Sequence, residues 1–139
     1  MKILHVASFC GNIGDNASHL GLYAILHRIV GQFKVDQLEM RDFYKNRPLD
    51  ERRYFDGNFA ALANKYDLLI FGGGGFLDYW VENSASGTTI DMTIENLAKI
   101  KVPTLFASMG RHPHKTVPEG YIEKLRHLLT AIGEKPNLR

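Results

Sequence analysis

The sequence contains one cysteine, Cys10, so an intrachain disulfide is excluded and nothing calls for an oxidising compartment. Long apolar runs are also missing. His5 interrupts the apolar start, and the polar turn from Asn12 ends it before a signal-peptide core could form. No stretch nears the roughly 20 apolar residues of a membrane-spanning helix. A cytoplasmic location is therefore expected, with any membrane contact peripheral. An excess of one charge is absent too: 17 Lys and Arg stand against 15 Asp and Glu, a net charge of +2. That balance provides no dense basic stripe, so nucleic acid is not an expected partner.

Several nucleotide signatures are lacking as well. No Gly-x-Gly-x-x-Gly follows the first apolar run, and no Gly-Lys-Ser/Thr ends a glycine loop, which argues against dinucleotide and P-loop chemistry. The turn at residues 11–16 has no hydroxyl-rich phosphate loop of the flavodoxin kind. Phe9-Cys10 and Phe71-Gly72 occupy the places where a receiver domain would carry acidic residues.

What is present is ordinary globular composition, 45% hydrophobic and 23% charged over 139 residues, enough for one domain spanning residues 1–139. Residues 2–9 read as a buried strand. Leu22, Ile25, Leu26 and Ile29 have helical spacing, with Asp15 or Asn16 as the expected cap and Gly31 as the stop. Residues 34–40 read as a second strand nearer a sheet edge, and residues 41–57 as a long loop with room for one helical turn. A short helix capped by Asn58 then precedes Leu68-Leu69-Ile70-Phe71, an uninterrupted apolar strand expected at the centre of the sheet. A polar linker follows. Ile90, Ile94, Leu97 and Ala98 predict a further helix, residues 102–107 a fourth strand, and Ile122, Leu125, Leu129 and Ile132 a last helix from near Pro118 to Gly133. Strands alternating with helices predict a doubly wound α/β domain with about four parallel strands in the order 2-1-3-4.

Ligands of such sheets bind beyond the carboxyl ends of the strands, where strand order reverses. For this order the first and third strands flank that point, and each is followed by a glycine-marked turn. In Asn12-Ile13-Gly14-Asp15 two readings stay open: a capped βα turn, or side chains that bond substrate hydroxyls. Four successive glycines, Gly72, Gly73, Gly74 and Gly75, exceed what a turn requires and suggest close approach of a ligand or a second domain. Phe76, Leu77, Tyr79 and Trp80 follow, chiefly as packing beneath that loop. The loop after the fourth strand carries Arg111, His112, His114 and Lys115, either an anion site or a solvated basic loop. No carboxylate or cysteine stands at ligand spacing from the two histidines, so no metal site is expected. Cys10 has no histidine assignable by spacing and is not expected to act as a nucleophile.

The ordered set of Asn12-Ile13-Gly14-Asp15, then Asp67 through the four glycines to Phe76-Leu77, then Lys101-Val102-Pro103-Thr104-Leu105 and Gly110 resembles the polysaccharide pyruvyl transferase family over most of the chain. The resemblance implies transfer of a pyruvyl group from phosphoenolpyruvate to a glycan hydroxyl as a ketal. It also implies a fold of two facing Rossmann-like domains of the glycosyltransferase B type, of which this chain matches the first. The chain is accordingly expected to be the N-terminal half of a longer enzyme and inactive alone, its partners being the glycan acceptor, phosphoenolpyruvate and the missing C-terminal domain. Self-association through the surface facing that domain is a further expectation.

On the same resemblance Asp15 is the catalytic position. Asn12, Gly14, Gly72, Gly73, Gly74 and Gly75 contact substrate, and Arg111 and His112 assist anion binding. No cofactor is implied beyond phosphoenolpyruvate as donor substrate. The family's turn after this strand is commonly Gly-Pro-like, whereas this chain has Gly110-Arg111-His112-Pro113. Two alternatives stand beside this reading: a glycosyltransferase B-type half-domain using a nucleotide sugar, and a non-enzymatic sugar- or anion-binding module.

Overall fold

The structure is a computed structural model that describes residues 1–10, 12–79, 81–111 and 116–137. Four strands, β1 (Lys2–Ala7), β2 (Lys34–Glu39), β3 (Leu68–Gly74) and β4 (Thr104–Met109), alternate with α1 (Ile13–Val30), α2 (Gly57–Ala63) and α3 (Ile94–Lys99). A last helix, α4 (Tyr121–Glu134), follows β4, and a 3-10 turn at Met40–Phe43 follows β2. All pairings are parallel, in the order β2-β1-β3-β4, so β3 is central and β2 lies at an edge.

The domain is an α/β, doubly wound, Rossmann-like sheet, and its two sides are filled by different residues of the same strands. Successive strand side chains point to opposite faces. Leu4, Val6, Leu69 and Phe71 pack with Phe59 and Ala63 of α2, Leu97 of α3 and Leu128 of α4. Ile3 and Ile70 turn the other way and meet Leu26, Leu22 and Tyr23 of α1. The chain moves leftward from β1 to β2 and rightward thereafter, and right-handed crossovers then place α1 alone on one side and the later helices on the other. Among the described residues no helix is long and apolar enough to cross a membrane.

Several boundaries differ from the sequence expectation for local reasons. Helix α1 begins at Ile13, and Asn12 occupies its N-cap without a side-chain bond, so Asp15 lies in the first turn and neither Asp15 nor Asn16 is the cap. Gly31 ends α1 as expected, at a φ of 76°. The cap of α2 is Asp56, whose carboxylate accepts the amides of Asn58 and Phe59 at 2.9 and 3.0 Å. Ile90 is buried but precedes α3, because Thr93 caps that helix by accepting the Asn96 amide at 3.1 Å. The supposed linker is packed: Ser84, Ser86 and Thr88 are buried and bond one another and nearby carbonyls. In α4 the buried residue is Leu128, while Ile122 and Leu129 face outward.

Candidate functional site

At the carboxyl edge of the sheet the turns after β1, β3 and β4 converge. Gly14, Asp15 and Ser18 from the start of α1 face Gly73, Gly74 and Gly75, with Ser108 and Gly110 completing an open depression of about 290 Å³. The rim is held by the backbone. The Gly74 carbonyl accepts from the amides of Phe76 at 2.9 Å and Gly110 at 2.8 Å, and the Leu77 amide donates to the Gly110 carbonyl at 3.1 Å. The spread of residues from three loops reflects the switch point between β1 and β3.

The glycine run has a reason internal to the chain. A Cβ on Gly72 would lie 1.9 Å from the Ala107 carbonyl oxygen of β4, and one on Gly74 would lie 2.8 Å from the Phe76 ring. Gly73 combines a φ of 81° with a virtual Cβ 2.1 Å from the His19 ring. Three of the four glycines are thus required by neighbours within the chain. At Gly75 the nearest atom stands 3.6 Å away, on the Asp78 carboxylate, so this glycine has space for a ligand.

Beneath Gly73 lies a buried aromatic group. His19 Nε2–H donates to the Ser8 carbonyl at 2.9 Å, and its ring meets His5 edge-on at 5.0 Å between centroids. His5 Nδ1 and the Tyr23 hydroxyl are 2.7 Å apart. Burial lowers the His5 pKa to about 4, and the adjacent His19 contributes to the lowering while the Gly72 backbone opposes it. His5 is therefore a neutral packing residue at neutral pH. This group supports the glycine turn from below.

The turn after β1 is anchored differently. Glu39, at the end of β2, accepts the Phe9 and Cys10 amides at 2.9 and 3.0 Å, which pins the loop entering α1. Asp15 is half-buried in the first turn of α1, and its carboxylate has no hydrogen-bond partner among the described residues. It acts electrostatically on Tyr44, whose phenol is pushed up by burial, opposed by Arg41 and reinforced by Glu39, Asp78 and Asp15. A carboxylate there satisfies the positive end of the helix and repels a second anion, so it suits a hydroxyl-bearing ligand better than a phosphate.

The expected site residues separate into three groups. Gly14, Asp15, Gly73, Gly74 and Gly75 come together at the depression, whereas Gly72 is buried against β4 and Asn12 is exposed at the helix entry. Arg111 is exposed with its guanidinium carbon 4.6 Å above the Tyr79 ring centroid, a cation held against the loop after β3. Trp80, His112, His114 and Lys115 lie outside the described residues. Of the other lining residues, Ser108 and Gly110 belong to the loop already expected as an anion-site candidate, and Ser18 went unrecognised. Ser18 sits one turn after Gly14 on the same helix, so i,i+4 spacing could have found it. Ser108 has a φ of 51°, a strained left-handed conformation that no sequence signal announces.

A second cavity of about 330 Å³ opens between the 3-10 turn and the segment after β3, lined by Phe43, Tyr44, Lys45, Val81 and Asp91 among others. Its charges are committed to one another: Asp91 receives Lys45 at 3.2 Å and Arg52 at 3.1 Å, and accepts the Ala85 amide at 2.7 Å. That arrangement clamps two loops together. The depression differs in offering a carboxylate, that of Asp15, with no partner among the described residues. Among the described residues no group of three or more His, Cys, Asp or Glu side chains could hold a metal. No protein-family model and no curated protein sequence matches this chain.

Proposed function

We propose that this chain is the acceptor-binding, N-terminal-type domain of a polysaccharide pyruvyl transferase-like enzyme that works in the cytoplasm and moves a pyruvyl group from phosphoenolpyruvate to a glycan. The observation that carries the reading is the Asp15 carboxylate, without a hydrogen-bond partner among the described residues, in a glycine-walled depression at the switch point. The ordered turns that resemble the family supply the reaction class.

Ketal formation requires two hydroxyls of one sugar to bond to C2 of phosphoenolpyruvate. The methylene carbon takes up a proton to become a methyl group, and the phosphate departs with the bridging oxygen. Two hydroxyl protons are released, one matching the proton gained at the methylene carbon and one leaving with phosphate. In this reading Asp15 accepts a hydroxyl proton, a carboxylate being able to serve as both hydrogen-bond acceptor and base. The open glycine backbone at Gly75 leaves room for a flat sugar face. The anionic donor requires cations; Arg111 on its Tyr79 shelf is one that this chain brings to the loop after β3 among the described residues, and a facing domain would add others.

Calorimetric titration of the chain with phosphoenolpyruvate, with hydroxyl-rich oligosaccharides and with nucleotide sugars tests the assignment. Saturable oligosaccharide binding is expected, weakened about tenfold by Asp15→Asn, as for loss of a charge-assisted hydrogen bond. Saturable binding of nucleotide sugars alone would assign the domain to a glycosyltransferase instead.

A further inference from the structure

The depression and the second cavity adjoin through two connections. Thr89, which lines the second cavity, donates its hydroxyl to the Phe76 carbonyl at 2.9 Å, and Phe76 directly follows the glycine run that lines the depression. The other connection runs through Asp78. Its carboxylate is the group nearest Gly75, 3.6 Å from a Cβ built there, and it acts electrostatically on Tyr44, as does Asp15. Tyr44 lines the second cavity and is thus the residue of its wall within reach of both carboxylates.

Apolar and polar groups divide the lining of that cavity. Phe43 is buried and stacked on Phe55 at 4.0 Å between centroids, so it forms the base, and Tyr44 and Val81 are half-buried beside it. Lys45, Asn46 and Asp91 complete the rim. Asp91 already holds Lys45 at 3.2 Å and Arg52 at 3.1 Å, so a bare anion would have to displace a carboxylate from two cations. A wholly apolar ligand would cover the Lys45–Asp91 pair and the Asn46 amide without hydrogen-bonding them. A pyranose ring meets both demands, since its C–H face packs on an aromatic ring while each hydroxyl can donate as well as accept. The volume of about 330 Å³ lies at the small end for ligand pockets and gives room for one ring.

We propose that the second cavity is a subsite for the sugar next to the one held at the depression, with Tyr44 as its stacking residue and Asn46 and the Lys45–Asp91 pair as its hydrogen-bonding rim. The inference rests on the glycan-binding reading of the depression and extends it from one sugar of the acceptor to two. Asp15 meets the reacting sugar, and Tyr44 selects its neighbour. Acceptor specificity then resides in the segment after β2, apart from the group that takes the proton.

Calorimetric titration with matched mono- and disaccharides of glucose, galactose and mannose tests the subsite. At least one disaccharide is expected to bind about tenfold more tightly than its monosaccharide, the worth of one stacked ring with a hydrogen bond. Tyr44→Ala should abolish that gain, so that the two ligands bind alike, while Tyr44→Phe should keep it. Asp15→Asn should weaken both ligands. Because Tyr44 packs against the core, the unaltered chain supplies a second measurement. Its amide shifts at Tyr44, Asn46 and Thr89 should move with the disaccharide and stay still with the monosaccharide. Disaccharides that bind no more tightly than monosaccharides, or a gain that survives Tyr44→Ala, would overturn the subsite while leaving the depression as the binding site. Shifts at Tyr44 produced by adenosine monophosphate and by no disaccharide would overturn it in favour of a nucleotide. Failure of every saccharide to bind would overturn both the subsite and the proposed function.

Discussion

The start of α1 and the end of β3 both carry glycines at the carboxyl edge of the sheet, yet the two sets answer to different neighbours. At the end of β3, which runs through Gly74 and so takes in three of the four glycines, the chain's own atoms crowd in: the Ala107 carbonyl meets Gly72 and the His19 ring meets Gly73. After β1 nothing lies within 4 Å of a Cβ built on Gly14, and the Asp15 carboxylate beside it has no hydrogen-bond partner among the described residues. A run of glycines can therefore mark the supporting wall of a site, while the less conspicuous turn holds the group with chemistry. One turn concerns stability, and the other is where the proposed function puts binding.

That contrast can be broken by substitution. Gly73→Ala should have the largest effect, because overpacking against the buried His19 ring and a left-handed φ act together, at a combined cost of about 4 kcal/mol in denaturant unfolding. The pH dependence of the same wall comes next. The His5 pKa is about 4 in the folded chain against an ordinary 6.5, so the unfolded state binds the proton more readily. Stability is full above pH 6.5 and falls as pH drops toward 4, by about 3 kcal/mol, with no further loss from this group below that. Unfolding curves across that window should show the slope, and His5→Gln should remove it. Gly14→Ala should have the smallest effect and the opposite sign, stabilising the chain by about 0.5 kcal/mol, since the added methyl enters open space in a helix. A destabilised Gly14→Ala variant would erase the distinction between the turns.

The architecture was legible because periodicity and apolar runs are local signals. Leu68 to Phe71 could only be a central strand, and right-handed crossovers then set the order of the other three. Helix ends were less legible: Gly14 and Asp15 look like turn residues, yet they form the first turn of α1 because Asn12 takes the extended cap conformation. The outward faces of Ile25 and Ile29 were hidden as well, since α1 is apolar on nearly every side and its pattern does not select one face. The candidate site was visible as two turns but not as a depression. His19 beneath Gly73, the left-handed Ser108 and the Glu39 anchor of the first turn are contacts between distant segments, which spacing along the chain does not encode.

The central claim is that one depression, built by the first turn of α1 and the glycine turn, is where ligand binds. Amide chemical-shift mapping during titration with a hydroxyl-rich oligosaccharide tests it most directly. The account predicts saturable shifts at Gly14, Asp15, Ser18, Gly75 and Gly110, lost in Asp15→Asn with the rest of the spectrum preserved. Shifts confined to Tyr44, Lys45 and Asp91 around the other cavity, or shifts at the depression that persist undiminished in Asp15→Asn, would contradict it.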